Sequence, residues 1–262
     1  MRFGEYVENV VQTVGDFIVP RECLVCGRIL MRGEECLCIY CESDLPLTFQ
    51  WTMAVNPMAD KYNCLIQKHI DYYNSGRRVR YAYASALFYY RSSSGYRKIP
   101  QYVKYKGNRN IGRRYGAILG HFLSSSPHLS SVDLVIPVPL HWTRYWNRGY
   151  NQAAVIAQGV AESLGVELRT DIISRSRRTI SQTRLSKEEK LLNVENAFAA
   201  SQAILAEGRA VYGQKKTPLH ILLVDDVFTT GATAAACHAA LYNSLPKGSR
   251  ISVATLGFVD ND

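Results

Sequence analysis

The chain has 262 residues, 47% of them hydrophobic and 20% charged, with a formal net charge of +9. This composition excludes wholesale disorder, and no apolar run reaches the roughly 18 residues that span a bilayer. The basic surplus favours polyanionic partners: nucleic acid, anionic lipid or a phosphorylated small molecule. At roughly 150 residues per domain, the length predicts one large domain and a smaller module.

The first 20 residues place Phe3, Tyr6, Val7, Val10, Val14, Phe17 and Ile18 at helical spacing, predicting an amphipathic helix over residues 1–20. Glu5, Glu8 and Asp16 interrupt its apolar face, which argues against a secretory signal and for the cytoplasm. Residues 21–47 hold five of the seven cysteines. Cys23 and Cys26 form one Cys-x-x-Cys pair, Cys38 and Cys41 another. Two such pairs on tight knuckles supply the four thiolates of a tetrahedral zinc ribbon, with Gly27 suited to the knuckle backbone. Cys36 is the spare, and its exchange with Cys38 stays open on spacing alone. Four thiolates leave no open position, so the zinc is structural. Cys64 and Cys237 read as packed, unreactive residues.

Residues 48–80 read as a connector with a helix around 58–70. From residue 81 to 262 the pattern alternates. Strands are predicted at 83–90, 132–138, 166–173, 219–224 and 251–258, and helices at 96–105, 111–123, 151–164 and 232–241. Residues 174–184 are polar and basic and read as a surface loop. Alternating strands and helices imply an α/β fold, a mostly parallel sheet with helices on both faces.

The chemistry concentrates at residues 221–233. A buried strand is predicted to end in Asp225 and Asp226, and Thr229, Thr230, Gly231, Ala232 and Thr233 lead into a helix. Helix-terminal amides and threonine hydroxyls suit a phosphate, Gly231 admits a close anion, and the carboxylates suit vicinal ribose hydroxyls. A helix cap explains one Asp or one Thr, not the whole string. A second stretch mixes Arg144 and Arg148 with Trp142, Tyr145, Trp146 and Tyr150, ahead of Gln152. It fits either single-stranded nucleic acid or simple packing of the aromatics. Of the scattered histidines, His141 lies nearest the predicted site.

Residues 221–233 resemble the 5-phosphoribosyl-1-pyrophosphate (PRPP) motif of type I phosphoribosyltransferases. Residues 138–152, the loop with Arg175, Arg178, Gln182 and Thr183, residues 104–107 and the cysteine pairs together resemble the ComF family of competence-associated phosphoribosyltransferase-like proteins. The resemblance runs from about residue 18 to 259. It implies a type I phosphoribosyltransferase-like sheet behind a zinc ribbon. It also implies PRPP held by Asp225, Asp226 and residues 229–233, with Mg²⁺ bridging substrate oxygens. The pyrophosphate is expected near Lys104 and Lys106 or the loop after Val138, and Arg175 and Arg178 on a closing loop. Three roles remain open: a transferase with an unidentified acceptor, a single-stranded DNA-binding accessory beside DNA-uptake machinery at the inner membrane, or a PRPP sensor.

Overall fold

The structure, a computed structural model, describes residues 20–73, 79–105, 107–140, 145–146, 148–175, 197–201, 218–242, 245–246 and 248–260, with backbone alone for Tyr72 and Tyr73. The helix expected over residues 1–20, and Lys106, His141, Trp142, Arg144, Arg178, Gln182 and Thr183, lie outside the described residues, apart from Pro20.

The first described element is a small cysteine-bearing unit. Glu22 and Ile29 form an antiparallel bridge, and Gly27, at φ 74°, turns the chain between them. A short helix, α1 (Ile39–Ser43), follows with Cys38 at its N-cap. The second cysteine pair therefore sits on a helix start, where i and i+3 share a face, rather than on a second knuckle. Next come α2 (Pro57–Tyr73) and β1 (Ala84–Tyr89). Leu47 bridges to Phe88 in antiparallel fashion, and the Tyr89 N–H donates to Pro46 O at 2.9 Å. The connector thus covers an edge that would otherwise expose unpaired backbone groups.

The remaining elements are α3 (Lys98–Tyr105), α4 (Arg109–Ser124), β2 (Leu134–Pro137), α5 (Gln152–Leu164), β3 (Glu167–Leu168), β4 (Ile173–Arg175), β5 (Phe198–Ala200), β6 (His220–Phe228), α6 (Ala232–Tyr242) and β7 (Arg250–Phe258). Five strands form a parallel sheet in the order β1-β7-β6-β2-β3. β4 and β5 pair antiparallel beside it. The expected strand over 166–173 resolves into β3 and the start of β4. β6 does not end at its carboxylates; it runs on to Phe228, because Val227 and Phe228 still pair with Gly257 and Phe258 of β7.

Both faces of the sheet are covered, which is why its strands read as continuous apolar runs. Tyr115, Leu119, Ile156 and Val160 of α4 and α5 pack with Val135, Leu222 and Leu256 on one side. Met58, Tyr62 and Ile66 of α2 and Cys237 and Leu241 of α6 pack with Ile136, Leu223 and Val253 on the other. Cys237 is buried as expected, whereas Cys64 is exposed on α2, correcting its reading as a packed residue.

Glycines let the backbones of α4 and α5 approach closely. A Cβ on Gly159 would stand 2.1 Å from Arg113 O, and one on Gly116 would stand 2.2 Å from Ile156 O. α5 is capped at both ends. Its N-cap Asn151 accepts from Ala153 N, and Gly165 adopts φ 68° at the C-cap. The Asn151 side chain also donates to Val138 O at 3.0 Å, tying the helix start to the end of β2.

The cysteine unit is docked on α4 rather than tethered. Leu24 and Leu37 share the core of α4 and α5. Arg114 donates from one nitrogen to both Glu42 oxygens, at 2.8 and 3.0 Å. Tyr96 Oη donates to Cys41 O at 2.9 Å.

Candidate phosphate and metal sites

The sheet order creates one switch point. From β2 the chain crosses to β3 on one side, and from β6 it crosses to β7 on the other. Ligands of open α/β sheets bind in the crevice outside the carboxyl ends of two such strands. Pro137 and Val224 are register partners there, so residues 138–140 and Asp225 to Thr230 flank the crevice.

Asp226 is buried, at 5% exposure, and its Oδ2 pairs with Lys104 Nζ at 2.8 Å. Lys104 reaches it from the last turn of α3. Asp225 Oδ1 accepts the Asp226 N–H at 2.8 Å. Burial, and then the adjacent Asp226 carboxylate, push the Asp225 carboxyl well above the usual range, while Lys104 and Arg175 pull against them. Arg175 acts from β4, with its guanidinium 5.1 Å from the Phe198 ring centroid of β5. Lys104, Arg175, Asp225 and Asp226 thus converge from three segments far apart in sequence.

Thr229 and Thr230 are exposed beyond the end of β6. Thr230 Oγ1 accepts from Ala232 N at 3.4 Å, at the start of α6, and Ala232 and Thr233 are half-buried in its first turn. Gly231 has φ +79°, and a Cβ there would meet Phe228 Cζ at 2.5 Å. Packing against Phe228 and a left-handed backbone require this glycine, whether or not an anion is near.

The basic, aromatic stretch after β2 divides in two. Tyr150 is buried, its hydroxyl donates to Val103 O, and the Arg109 guanidinium lies 4.9 Å from its ring centroid. Gln152 is buried and accepts from Arg148 Nη1 at 3.1 Å. These two side chains are packed. Tyr145 and Trp146 are not: they are 51% and 81% exposed. A hydrogen bond of 2.7 Å from Gly149 N to Tyr145 O closes the turn that carries them. Arg148 lies 5.3 Å from the ring centroid of Tyr105, itself 71% exposed. Tyr105 is the aromatic that sequence reasoning missed on this surface; its place before the Lys106-Gly107 break was the available signal.

The sulfurs of Cys23, Cys26, Cys38 and Cys41 all lie within 4.8 Å of one another, with Cys26 and Cys38 3.7 Å apart. A tetrahedral zinc with bonds of about 2.3 Å needs sulfurs about 3.8 Å apart, so the four residues fit that ion. Burial opposes the Cys23 thiolate, but backbone N–H groups of Cys26, Cys38 and Val25 outweigh it and hold its pKa below the ordinary value. Cys36 stands outside the cluster. Its Sγ donates to Tyr115 Oη at 3.7 Å, and burial pushes its thiol up. No helix among the described residues is long and apolar enough to cross a membrane.

No family model matches the chain. Over 105 residues it is 36% identical to Competence protein F of Haemophilus influenzae, a stretch covering 40% of this chain and 42% of that protein. It is 34% identical over 110 residues to DNA utilization protein YhgH of Salmonella typhimurium, covering 42% and 43%. The protein of the same name in Escherichia coli K12 is 33% identical over 107 residues, covering 41% and 42%. The chain spans about two fifths of the length of the curated relatives it matches. The crystal structure of TT1426 from Thermus thermophilus aligns at a TM-score of 0.31 and 16% identity, over 58% of this chain and 84% of that one. The resemblance read from the motifs thus holds at the level of named relatives: over that stretch the chain is similar to the competence and DNA-utilization proteins of the ComF family.

Proposed function

We propose that the chain binds PRPP at the switch point of its sheet and serves DNA utilization of the competence type. One observation carries the PRPP reading: two carboxylates near the carboxyl end of the central strand are followed, after Val227 and Phe228, by exposed threonines and a helix start. In this reading Asp225 and Asp226 accept the ribose hydroxyls, and Thr229, Thr230 and the first amides of α6 hold the 5-phosphate. Lys104 and Arg175, which neutralise the carboxylates in the free protein, turn to the pyrophosphate. Mg²⁺ bound with PRPP would supply charge neutralisation on its oxygens. The sheet fold that the resemblance implies, of the type I phosphoribosyltransferases, supports the same assignment. A zinc held by Cys23, Cys26, Cys38 and Cys41 would be structural, since four thiolates leave no open position. Work on incoming DNA would place the protein in the cytoplasm, beside uptake machinery at the inner membrane.

The test is a thermal-shift titration with PRPP and Mg²⁺. A ligand at 100 times its Kd adds about 2.7 kcal/mol of stability, and Asp225→Asn is expected to abolish that shift. Without ligand at pH 8, Asp225→Asn is expected to be the more stable protein by about 1 kcal/mol, or roughly 2–4 °C. A carboxyl raised on folding contributes stability at low pH and loses it as pH rises through the raised value. Wild-type protein that ignores PRPP would sink the reading. Pyrophosphate release with trial acceptors then separates turnover from binding alone.

A second reading rests on the exposed rings of Tyr105, Tyr145 and Trp146 beside Arg148. Bare aromatics among cations are the elements of a single-stranded nucleic acid surface. Affinity for a 12-residue oligothymidylate that falls steeply with salt supports it, and salt-independent or absent binding refutes it.

A further inference from the structure

Between the ends of β2 and β3 lies an open cleft of about 510 Å³. The PRPP reading draws its ligand groups from β6, α3 and β4, none of which lines this cleft; only Pro139 and Leu140 are shared with the flank of that crevice. Leu140, Val155 and Leu168, all half-buried, form an apolar floor. Tyr145 stands at one wall, and Gln158 and Thr170 stand exposed at the rim. Arg109, also in the lining, rests against the Tyr150 ring and has no ion pair among the described residues. Carboxylates on the neighbouring segments are engaged elsewhere: Asp171 with Arg169 at 3.0 Å, and Glu162 with Arg113 at 2.9 Å. The cleft opens beside the turn that carries Trp146.

We infer that this cleft receives a nucleobase together with its phosphate. The volume lies in the range of small-ligand pockets, generous for a base and suited to a nucleotide. An apolar floor with an aromatic side chain in the same lining suits a planar ring. The Gln158 amide and Thr170 hydroxyl offer both donors and acceptors to a base edge. The Arg109 guanidinium supplies the positive charge that a phosphate needs, and no carboxylate lines the cleft to compete for it. The inference rests on the second reading above and sharpens it. The exposed aromatics would bind a strand through stacking at the surface; the cleft adds a pocket for one inserted base.

The experiment uses the full zinc-loaded chain and three probes: labelled oligothymidylate of 12 residues, an abasic strand of the same length, and thymidine monophosphate. The normal strand is expected to bind at least tenfold tighter than the abasic one. Thr170→Trp, which fills the cleft from its exposed rim, and Tyr145→Ala are each expected to weaken oligothymidylate by roughly five- to a hundredfold. Binding of the abasic strand should stay within about twofold in Thr170→Trp. If thymidine monophosphate responds to Thr170→Trp while the strand does not, the base and phosphate come from a free nucleotide, and the cleft assignment stands. If the normal strand outbinds the abasic one but neither it nor thymidine monophosphate responds to Thr170→Trp, the cleft assignment is overturned while the surface reading survives; if normal and abasic strands bind alike and thymidine monophosphate is indifferent, both fail. If no strand and no nucleotide binds, both fail.

Discussion

The cysteine cluster and the carboxylate site are built in opposite ways. The cluster draws its four sulfurs from residues 23 to 41, and its geometry follows from one turn and one helix start. The carboxylate site draws Asp225 and Asp226 from β6, Lys104 from α3 and Arg175 from β4. The first is a local object that a metal can stabilise by itself. The second exists only when the sheet is assembled and α3 and the β4–β5 pair are docked on it. Spacing is therefore a good guide to the first and a poor guide to the second.

Removing the metal breaks this comparison hardest. Structural zinc contributes an apparent 10–16 kcal/mol in small zinc modules. Cys26→Ser, at the exposed corner of the cluster, is expected to abolish stoichiometric zinc and lower Tm sharply. Cys36→Ser is expected to keep its zinc. Elemental analysis of both variants would decide it, and zinc loss in Cys36→Ser would move the fourth ligand.

Acid attacks the sheet body through two buried histidines. Burial, and then Arg250, hold His220 down at about 4; burial, and then His69, hold His238 at about 3. A histidine whose pKa is lowered on folding takes up its proton more readily when unfolded. Stability therefore falls as pH drops from about 6.5 towards those values. His220 alone accounts for about 3 kcal/mol over that range. The measurement is urea unfolding at pH 7 and pH 5, and a His220→Asn protein should show a flatter acid limb.

Gly159→Ala forces a methyl group onto Arg113 O where no space exists. Overpacking of this kind costs about 1–3 kcal/mol, and rigid backbone on the far side sets it at the upper end. Because α4 also carries the cysteine unit, the melt of this variant should remain a single transition. Two separate transitions would show that the unit folds independently of the sheet.

Lys104→Ala is expected to cost less, about 2 kcal/mol, since it leaves the Asp226 carboxylate buried without its cation. Lys104 is partly exposed, at 26%, which keeps the cost below that of a fully buried pair. Adding Asp226→Asn should return much of the loss, because the charge is then gone. A double variant as unstable as the sum of the singles would show that the two residues do not interact.

The helices and strands of the sheet were legible because burial on both faces imposes long apolar runs, and because Asn108, Asn151 and Gly165 mark helix ends. The overrun of β6 past Asp226 to Phe228 was not: two adjacent carboxylates look like a strand's end, and only pairing with β7 keeps them in the ladder. Tyr150 and Trp146 are alike in sequence as aromatics beside arginines. Docking of α3 buries one, through its hydroxyl on Val103 O, and leaves the other in solvent. The exposed Cys64 shows the same limit, since a lone cysteine carries no signal about which face of its helix is covered.

By itself the sequence determined the α/β alternation, the two Cys-x-x-Cys pairs and the carboxylate–threonine string, because each depends on neighbours within about a dozen residues. Only the assembled fold decided that Cys36 turns into the core against Tyr115 and leaves Cys38 to the cluster, that Lys104 pairs with Asp226 while Arg175 acts on Asp225, and that a cleft lies between the ends of β2 and β3. Those outcomes depend on contacts between segments tens to more than a hundred residues apart. No local spacing encodes which segments become neighbours; the sheet order does.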